Sequence, residues 1–246
     1  MNRRLFIGTS FSGVLAGCSA IGTHLNDNEH FHNVIDSAES LNQRIIGTHG
    51  LAREYRVSDI SRDFPVNSLP TPTSQTYRGL LSDRFRSYRL LVDGAVDRRL
   101  ALSLPQLYGM QPKRQITRHD CVEGWSVIAQ FDGVPLRDVV ALARPRNDAK
   151  YVVFHCFDID QDGSRYYESL DVHQAQHPQT LLALQMNGRP ITPDHGAPVR
   201  LRVPTQLGYK SAKWVQRIEI VGSLTTLGAG KGGYWEDQGY EWYAGI

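Results

Sequence analysis

The residue whose type and setting best suit chemistry is Cys121, in the stretch Thr-Arg-His-Asp-Cys-Val-Glu-Gly-Trp-Ser from Thr117 to Ser126. A cysteine is either a chemically active thiol, with reactivity set by its surroundings, or half of a disulfide. His119 and Asp120 precede it and Glu123 and Trp125 follow, a density of polar functional groups unusual around a structural bridge. The chain holds two more cysteines, Cys18 and Cys156, so a Cys121–Cys156 disulfide in an oxidising compartment is the alternative.

Other candidates are weaker by themselves. Asn67 reads as a turn residue or as a ligand-facing amide. Asp158, Asp160 and Asp162 alternate as in the start of a calcium loop, but no flanking helices and no closing glutamate follow, which favours a solvated turn. His24, His30 and His32 lack the tight spacing of a metal site.

The elements that must hold Cys121 are short. Gln115 to His119 reads as a strand and Val127 to Phe131 as another, which leaves the cysteine in a loop, where scaffolds display chemistry. Asp132 and Gly133 read as a turn, followed by a helix over Pro135 to Ala143. Upstream, Tyr55 to Pro72 is a proline-marked extended arm, Tyr88 to Val96 a hairpin about Asp93-Gly94, and Ser103 caps a helix. Downstream, Tyr151 to His155 and Tyr166 to Leu170 form a hairpin pair, and Asp171 caps a short helix ended by His177 and Pro178. Leu181 to Met186, Val199 to Val203 and Trp214 to Val221 complete the strands. Mixed sheets with short helices and loop-rich connections make the fold class α+β, with one main domain over 49–246.

With 246 residues, 41% of them hydrophobic, the chain can bury a substantial core. The formal charge is +2, from 27 basic and 25 acidic residues without a block of one sign, so charge names no nucleic-acid or membrane partner. Single arginines inside a pocket, the usual bidentate grip on phosphate, escape such a count.

Residues 1–18 read as an address. Arg3 and Arg4 precede an apolar stretch from Leu5 to Ala16, shorter than the roughly 20 residues of a spanning helix. This resembles a twin-arginine export signal, whose machinery passes folded proteins and suits one that carries a cofactor. Leu15 to Cys18 reads as a lipoprotein cleavage box that would make Cys18 the lipid-bearing first residue; a plain small-residue cleavage site is the alternative. Residues 19–48 read as a flexible tether, and the mature protein is expected in the periplasm.

Three runs in order, Cys-Val-Glu-Gly-Trp-Ser at 121–126, His-Gly-Ala-Pro-Val-Arg at 195–200 and Leu-Gly-Tyr-Lys-Ser-Ala-Lys at 207–213, resemble the molybdopterin domain of the sulfite oxidase superfamily. The nearest branch resembles the periplasmic methionine sulfoxide reductase catalytic subunit. The resemblance implies the sulfite oxidase-type catalytic fold, without the C-terminal dimerisation domain of sulfite oxidases, and hence a monomer. It implies a molybdenum–molybdopterin cofactor with Cys121 as the thiolate ligand of the metal, a soft donor suited to a metal that changes oxidation state. It further implies that His195, Arg200, Lys213 and the backbone about Ser211 and Ala212 hold the cofactor's phosphate end, that Asn67 touches the cofactor, and that Cys156 lines its site where the reductase branch carries threonine. Outside the motif, Arg200 in Val-Arg-Leu-Arg-Val reads as a solvent-facing strand residue and Lys213 as an edge charge.

Sulfite oxidases resemble one another in arginines just after the metal-binding cysteine. Here Val122, Glu123 and Gly124 stand instead, and a glutamate repels a dianion. The expected activity is therefore oxygen-atom transfer on an uncharged substrate such as a sulfoxide, with sulfite-type oxidation as an alternative, which Arg118 or Lys210 would serve as cations. No Cys-x-x-Cys-His haem motif occurs, so electrons come from a partner, which the resemblance implies to be a soluble or membrane cytochrome. The alternative from another class is a non-enzymatic binding lipoprotein held by a Cys121–Cys156 disulfide.

Overall fold

The computed structural model of the chain describes residues 50–67, 71–159 and 163–246. The export signal, Cys18, the tether with its histidines, and Asp160 and Asp162 lie outside these residues.

Two sheets, each of five strands, carry the described part. The first takes the order β2-β1-β10-β5-β6, from β1 (Arg89–Gly94), β2 (Leu100–Ser103), β5 (Tyr151–Ile159), β6 (Arg165–Asp171) and β10 (Val215–Val221). β1 and β10 run parallel, and the other pairs are antiparallel. The second sheet runs β3-β4-β7-β8, from β3 (Lys113–Asp120), β4 (Ser126–Pro135), β7 (Leu181–Met186) and β8 (Arg189–Pro190); β9 (Arg200–Arg202) also pairs with β7. Short helices fill the gaps: α1 (Gln75–Ser82), α2 (Leu104–Gly109), α3 (Leu136–Ala143), α4 (Val172–Gln176) and α5 (Tyr234–Asp237). Among the described residues no helix is long and apolar enough to cross a membrane.

Capping follows local chemistry. Ser103 and Gln106 form a reciprocal capping box at α2, and Asp171 and Gln174 do the same at α4, so each helix start satisfies otherwise stranded N–H groups. β5, rich in β-branched and aromatic residues, is central to its sheet and buries Val152, Val153, Phe154, Cys156 and Phe157. Leu136 and Val139 of α3 pack with Leu170, Leu182, Leu201 and Trp214 in one apolar core. Burying each such aliphatic side chain contributes about 1.5–3 kcal/mol.

Two Asp-Gly pairs differ from expectation for one reason. Gly94 is the last residue of β1, paired with Ile220, and the hairpin partner of β1 is β2 beyond a turn at residues 95–99. Gly133 continues β4 through a register shift against β7. At Gly94 a Cβ would collide with the Ile220 carbonyl, and at Gly133 with that of Leu182. Gly133 admits a neighbouring backbone rather than turning the chain, and Gly94, at φ +91°, does both. β5 also runs beyond His155 to Ile159, which puts Asp158 in a strand and not in a solvated turn.

Candidate functional site

Cys121 stands at the tip of the β3–β4 hairpin. Pairing ends at Asp120↔Ser126, and the loop closes with Cys121 N–H donating to Trp125 O at 2.9 Å and Gly124 N–H to Cys121 O at 3.1 Å. Gly124, at φ +87°, takes the left-handed conformation that glycine adopts without a Cβ penalty. Side chains brace the same loop: Ser126 Oγ donates to Asp120 at 2.5 Å, and Trp125 Nε1 to Glu123 Oε2 at 3.0 Å. The thiol is half-buried. Burial pushes its pKa up and the Glu123 carboxylate adds to that, while the Glu123 backbone N–H and Arg200 act the other way. A bound metal would take the thiol as thiolate by displacing its proton.

Alternation along β3 turns Gln115, Thr117 and His119 inward and leaves Arg114 and Arg118 outside. The same period along β9 sends Leu201 into the core and Arg200 and Arg202 together to the site face. Both guanidiniums are buried, so the solvent-facing alternative for Arg200 is overturned. Arg200 donates from Nη1 to His195 O at 3.1 Å and lies 5.6 Å from the Phe64 ring centre. Arg202 donates from Nη2 to Thr117 Oγ1 at 3.1 Å and Arg118 O at 2.5 Å, and its Nη1 lies 3.4 Å from His119 Nδ1. Among the described residues neither arginine pairs with a carboxylate, and each leaves a buried Nε without a partner. Burial pulls their pKa values down, to about 10 for Arg200 and about 9 for Arg202.

Lys213 completes the cluster. It is buried rather than an edge charge, and its Nζ donates to Asn67 Oδ1 at 2.6 Å and to Asp194 O at 3.3 Å. Burial, then repulsion from Arg200, bring its pKa to about 7. The turn before it, Gly208–Lys210, is closed by Ser211 N–H on Gly208 O at 3.0 Å, while Ser211 Oγ accepts from Val203 N at 3.2 Å. Burial and Arg200 also depress the His195 imidazole.

A cavity of about 240 Å³ gathers Asn67, Cys121, Ser211, Ala212 and Lys213, with His119, Glu123 and Asp158 among its other walls. A tight polar cleft joins it, where Asn67, His119 and Lys213 meet His195 and Arg200. Seven of the eight expected site residues therefore share one continuous region. Cys156 does not line it; the residue is fully buried in the apolar core beside Trp214 and Val215. Both cysteines are free, which overturns the Cys121–Cys156 disulfide: one is at a hairpin tip and the other inside a central strand. The two extra cations also lie elsewhere. Lys210 is fully buried between Glu168 and Glu236, and Arg118 is exposed and pairs with Asp120. A larger cavity of about 600 Å³, walled by His155, Arg165, Tyr167 and Asp237, holds no thiol.

The arrangement suits a group with an anionic end and a soft metal: buried cations with unsatisfied donors for phosphate, and a half-buried thiol for the metal. Reading the residues one by one missed Asp158, which lines the cavity, and Arg202, which stands behind His119. The signal for Arg202 was its spacing, two positions from Arg200 across an apolar residue in a strand.

A family model described as the oxidoreductase molybdopterin binding domain matches residues 79–225. The putative protein-methionine-sulfoxide reductase subunit YedZ1 of Azospira oryzae is 37% identical over 253 aligned positions, covering 99% of this chain and 87% of the relative. The protein-methionine-sulfoxide reductase catalytic subunit MsrP of Xanthomonas campestris is 39% identical over 140 positions, 53% of this chain and 44% of that one; the alignment thus spans less than half of that relative. The sulfane dehydrogenase SoxCD from Paracoccus pantotrophus superposes with a TM-score of 0.50 at 22% identity, over 56% of this chain and 39% of that one, a likeness of fold.

Proposed function

The chain belongs to the oxidoreductase molybdopterin binding domain family and is a molybdenum–molybdopterin oxidoreductase, and from that premise we propose that it reduces a small sulfoxide in the cavity beside Cys121. One observation carries the reading: a half-buried thiol lines the cavity, and the cleft that joins it holds Arg200, a buried guanidinium whose Nε has no partner among the described residues. Cys121 would bind the metal. Arg200 and Lys213, with His195, Asn67, the Ser211 hydroxyl and the Ala212 backbone, would hold the phosphate end. When bound, the cofactor supplies two-electron oxygen-atom transfer.

The chain's own residues orient and select. Glu123 and Asp158 both line the cavity, and two carboxylates favour an uncharged sulfoxide over sulfite. Trp235 and Tyr240 stack at 5.3 Å between ring centres on another wall, a surface suited to a thioether sulfur. Reducing a sulfoxide to thioether and water consumes two electrons and two protons, so an electron-donating partner protein is part of the proposal. Its relatives are named as subunits, which supports such a partner; a membrane or soluble cytochrome fits the chemistry. The Arg3-Arg4 leader supports twin-arginine export to the periplasm, with Cys18 as a lipid anchor.

Metal analysis of exported protein from a cofactor-competent host is the first test: stoichiometric molybdenum in the native chain and none in Cys121→Ser. A reduced-dye assay with methionine sulfoxide should then show turnover. Metal-loaded protein that oxidises sulfite with ferricyanide and leaves the sulfoxide untouched would reverse the substrate assignment.

A further inference from the structure

We propose that Arg202 fixes His119 as its Nε2–H tautomer, so that His119 donates a hydrogen bond to an oxygen acceptor bound beside Cys121. This rests on the reading of the cavity as an oxygen-transfer site and assigns a residue to recognition of the transferred oxygen.

The geometry runs through two strands. Arg202 is held by Thr117 Oγ1, by Arg118 O and by the face of Phe131, 5.2 Å from its guanidinium carbon. Its Nη1 then points at His119 Nδ1. A guanidinium has donors and no acceptor, so Nδ1 must offer its lone pair. In a neutral imidazole the proton then resides on Nε2, since the bond made by one ring nitrogen sets the state of the other. On the Nε2 side the neighbour is Gly208, where a Cβ would stand 2.7 Å from Nε2. The absence of a side chain there keeps that edge of the ring open. His119 lines the cavity together with Cys121, and among the described residues its Nε2 makes no hydrogen bond to protein. Phe64 and Trp125 hold the ring plane, at 5.3 and 5.7 Å between centres. The result is an oriented, uncharged donor aimed at a cavity. It suits a strongly dipolar neutral acceptor, either the sulfoxide oxygen of a substrate or an oxygen carried by the cofactor.

Nitrogen-15 NMR of histidine-labelled wild-type protein decides the tautomer, with His119→Gln assigning the resonance. The expected spectrum has an acceptor-type Nδ1 and a protonated Nε2, lost in Arg202→Lys, which keeps the charge but not the fork. A protonated Nδ1 in the wild type overturns the proposal. Kinetics on metal-loaded variants locate the acceptor. If it is the substrate, His119→Phe raises KM for methionine sulfoxide about five- to tenfold, the loss of one hydrogen bond, with kcat changed less and His119→Gln partly restoring KM. If it is the cofactor, KM holds and the metal reduction potential moves instead. His119→Phe with full metal, unchanged KM and unchanged potential rejects the role. Wild-type protein that never carries molybdenum would instead reject the function itself, a separate result.

Discussion

Two places in this protein bury cations, and they treat the charge differently. At Lys210 the ammonium is fully buried between Glu168 and Glu236, with the Glu236 oxygen at 2.6 Å and Glu168 closer still. Trp242 covers it at 5.4 Å from the ring centre. Burial holds the Glu168 carboxyl well above its usual range, so the set of two carboxyls and one ammonium approaches neutrality within the protein. Around Arg200 and Arg202 the charge is answered, among the described residues, by carbonyls, a hydroxyl and aromatic faces. The first arrangement balances its charge within the protein and is structural. The second holds positive charge ready for an anion, and that difference marks the site more clearly than residue type does.

The comparison breaks first at Lys210. Lys210→Met leaves Glu168 and Glu236 buried without their cation, which should cost about 3–5 kcal/mol, as one-sided removal from a buried pair does. Urea denaturation measures it directly. Lys213→Met should behave in the opposite way in cofactor-free protein, holding or raising stability while molybdenum retention falls. A stability loss at position 213 as large as that at 210 would erase the distinction.

A pH titration sharpens the same contrast. Lys213 has a folded pKa of about 7, and in the unfolded chain it returns to about 10.4. Below pH 7 both states hold the proton and the folded state bears its full cost. Above pH 7 the folded state releases it first, so the unfolded state binds more protons and stability rises with pH. Cofactor-free protein should gain about 2 kcal/mol between about pH 7 and pH 9, at 1.36 kcal/mol per unit. Lys213→Met should lose that rise. Loaded protein should show a shallower slope, because an anion beside Lys213 restores its charge.

Much of this was legible from local chemistry. The strands on either side of Cys121 and the capped helices follow from period-two patterning and capping residues. What failed depends on distant backbone. Gly94 and Gly133 carry turn chemistry in their own sequence, yet each is required by the carbonyl of another strand, Ile220 or Leu182. Arg200 was anticipated through its motif, whereas Arg202 gains its meaning from β3, where Thr117 and His119 meet it across 85 and 83 positions of sequence. Lys210 sits three residues from Lys213 in the same run, and the chain path alone separates a buried triad from the site.

Asn67 tests a smaller link. Its Oδ1 accepts from the Lys213 ammonium at 2.6 Å, so Asn67→Ala should lower cofactor retention about tenfold, the low end for one hydrogen bond to a charged group. Molybdenum content after prolonged dialysis reads it, and retention equal to wild type would remove Asn67 from the site.

The smallest effect is expected at Glu123, and it closes the comparison with the buried carboxyls. Glu123 is exposed at the rim of the cavity, near Cys121 and joined to Trp125 Nε1, where water and salt screen its charge. Glu123→Gln should therefore leave the fold and metal content unchanged and strengthen inhibition by sulfite only about two- to threefold at low ionic strength, with the difference fading in high salt. The same change of charge at Glu168 or Glu236 acts in a dry environment and should alter stability, not inhibition. If Glu123→Gln changes sulfite inhibition by orders of magnitude, its carboxylate acts on the bound substrate directly, and the rim belongs to the catalytic region rather than to its entrance.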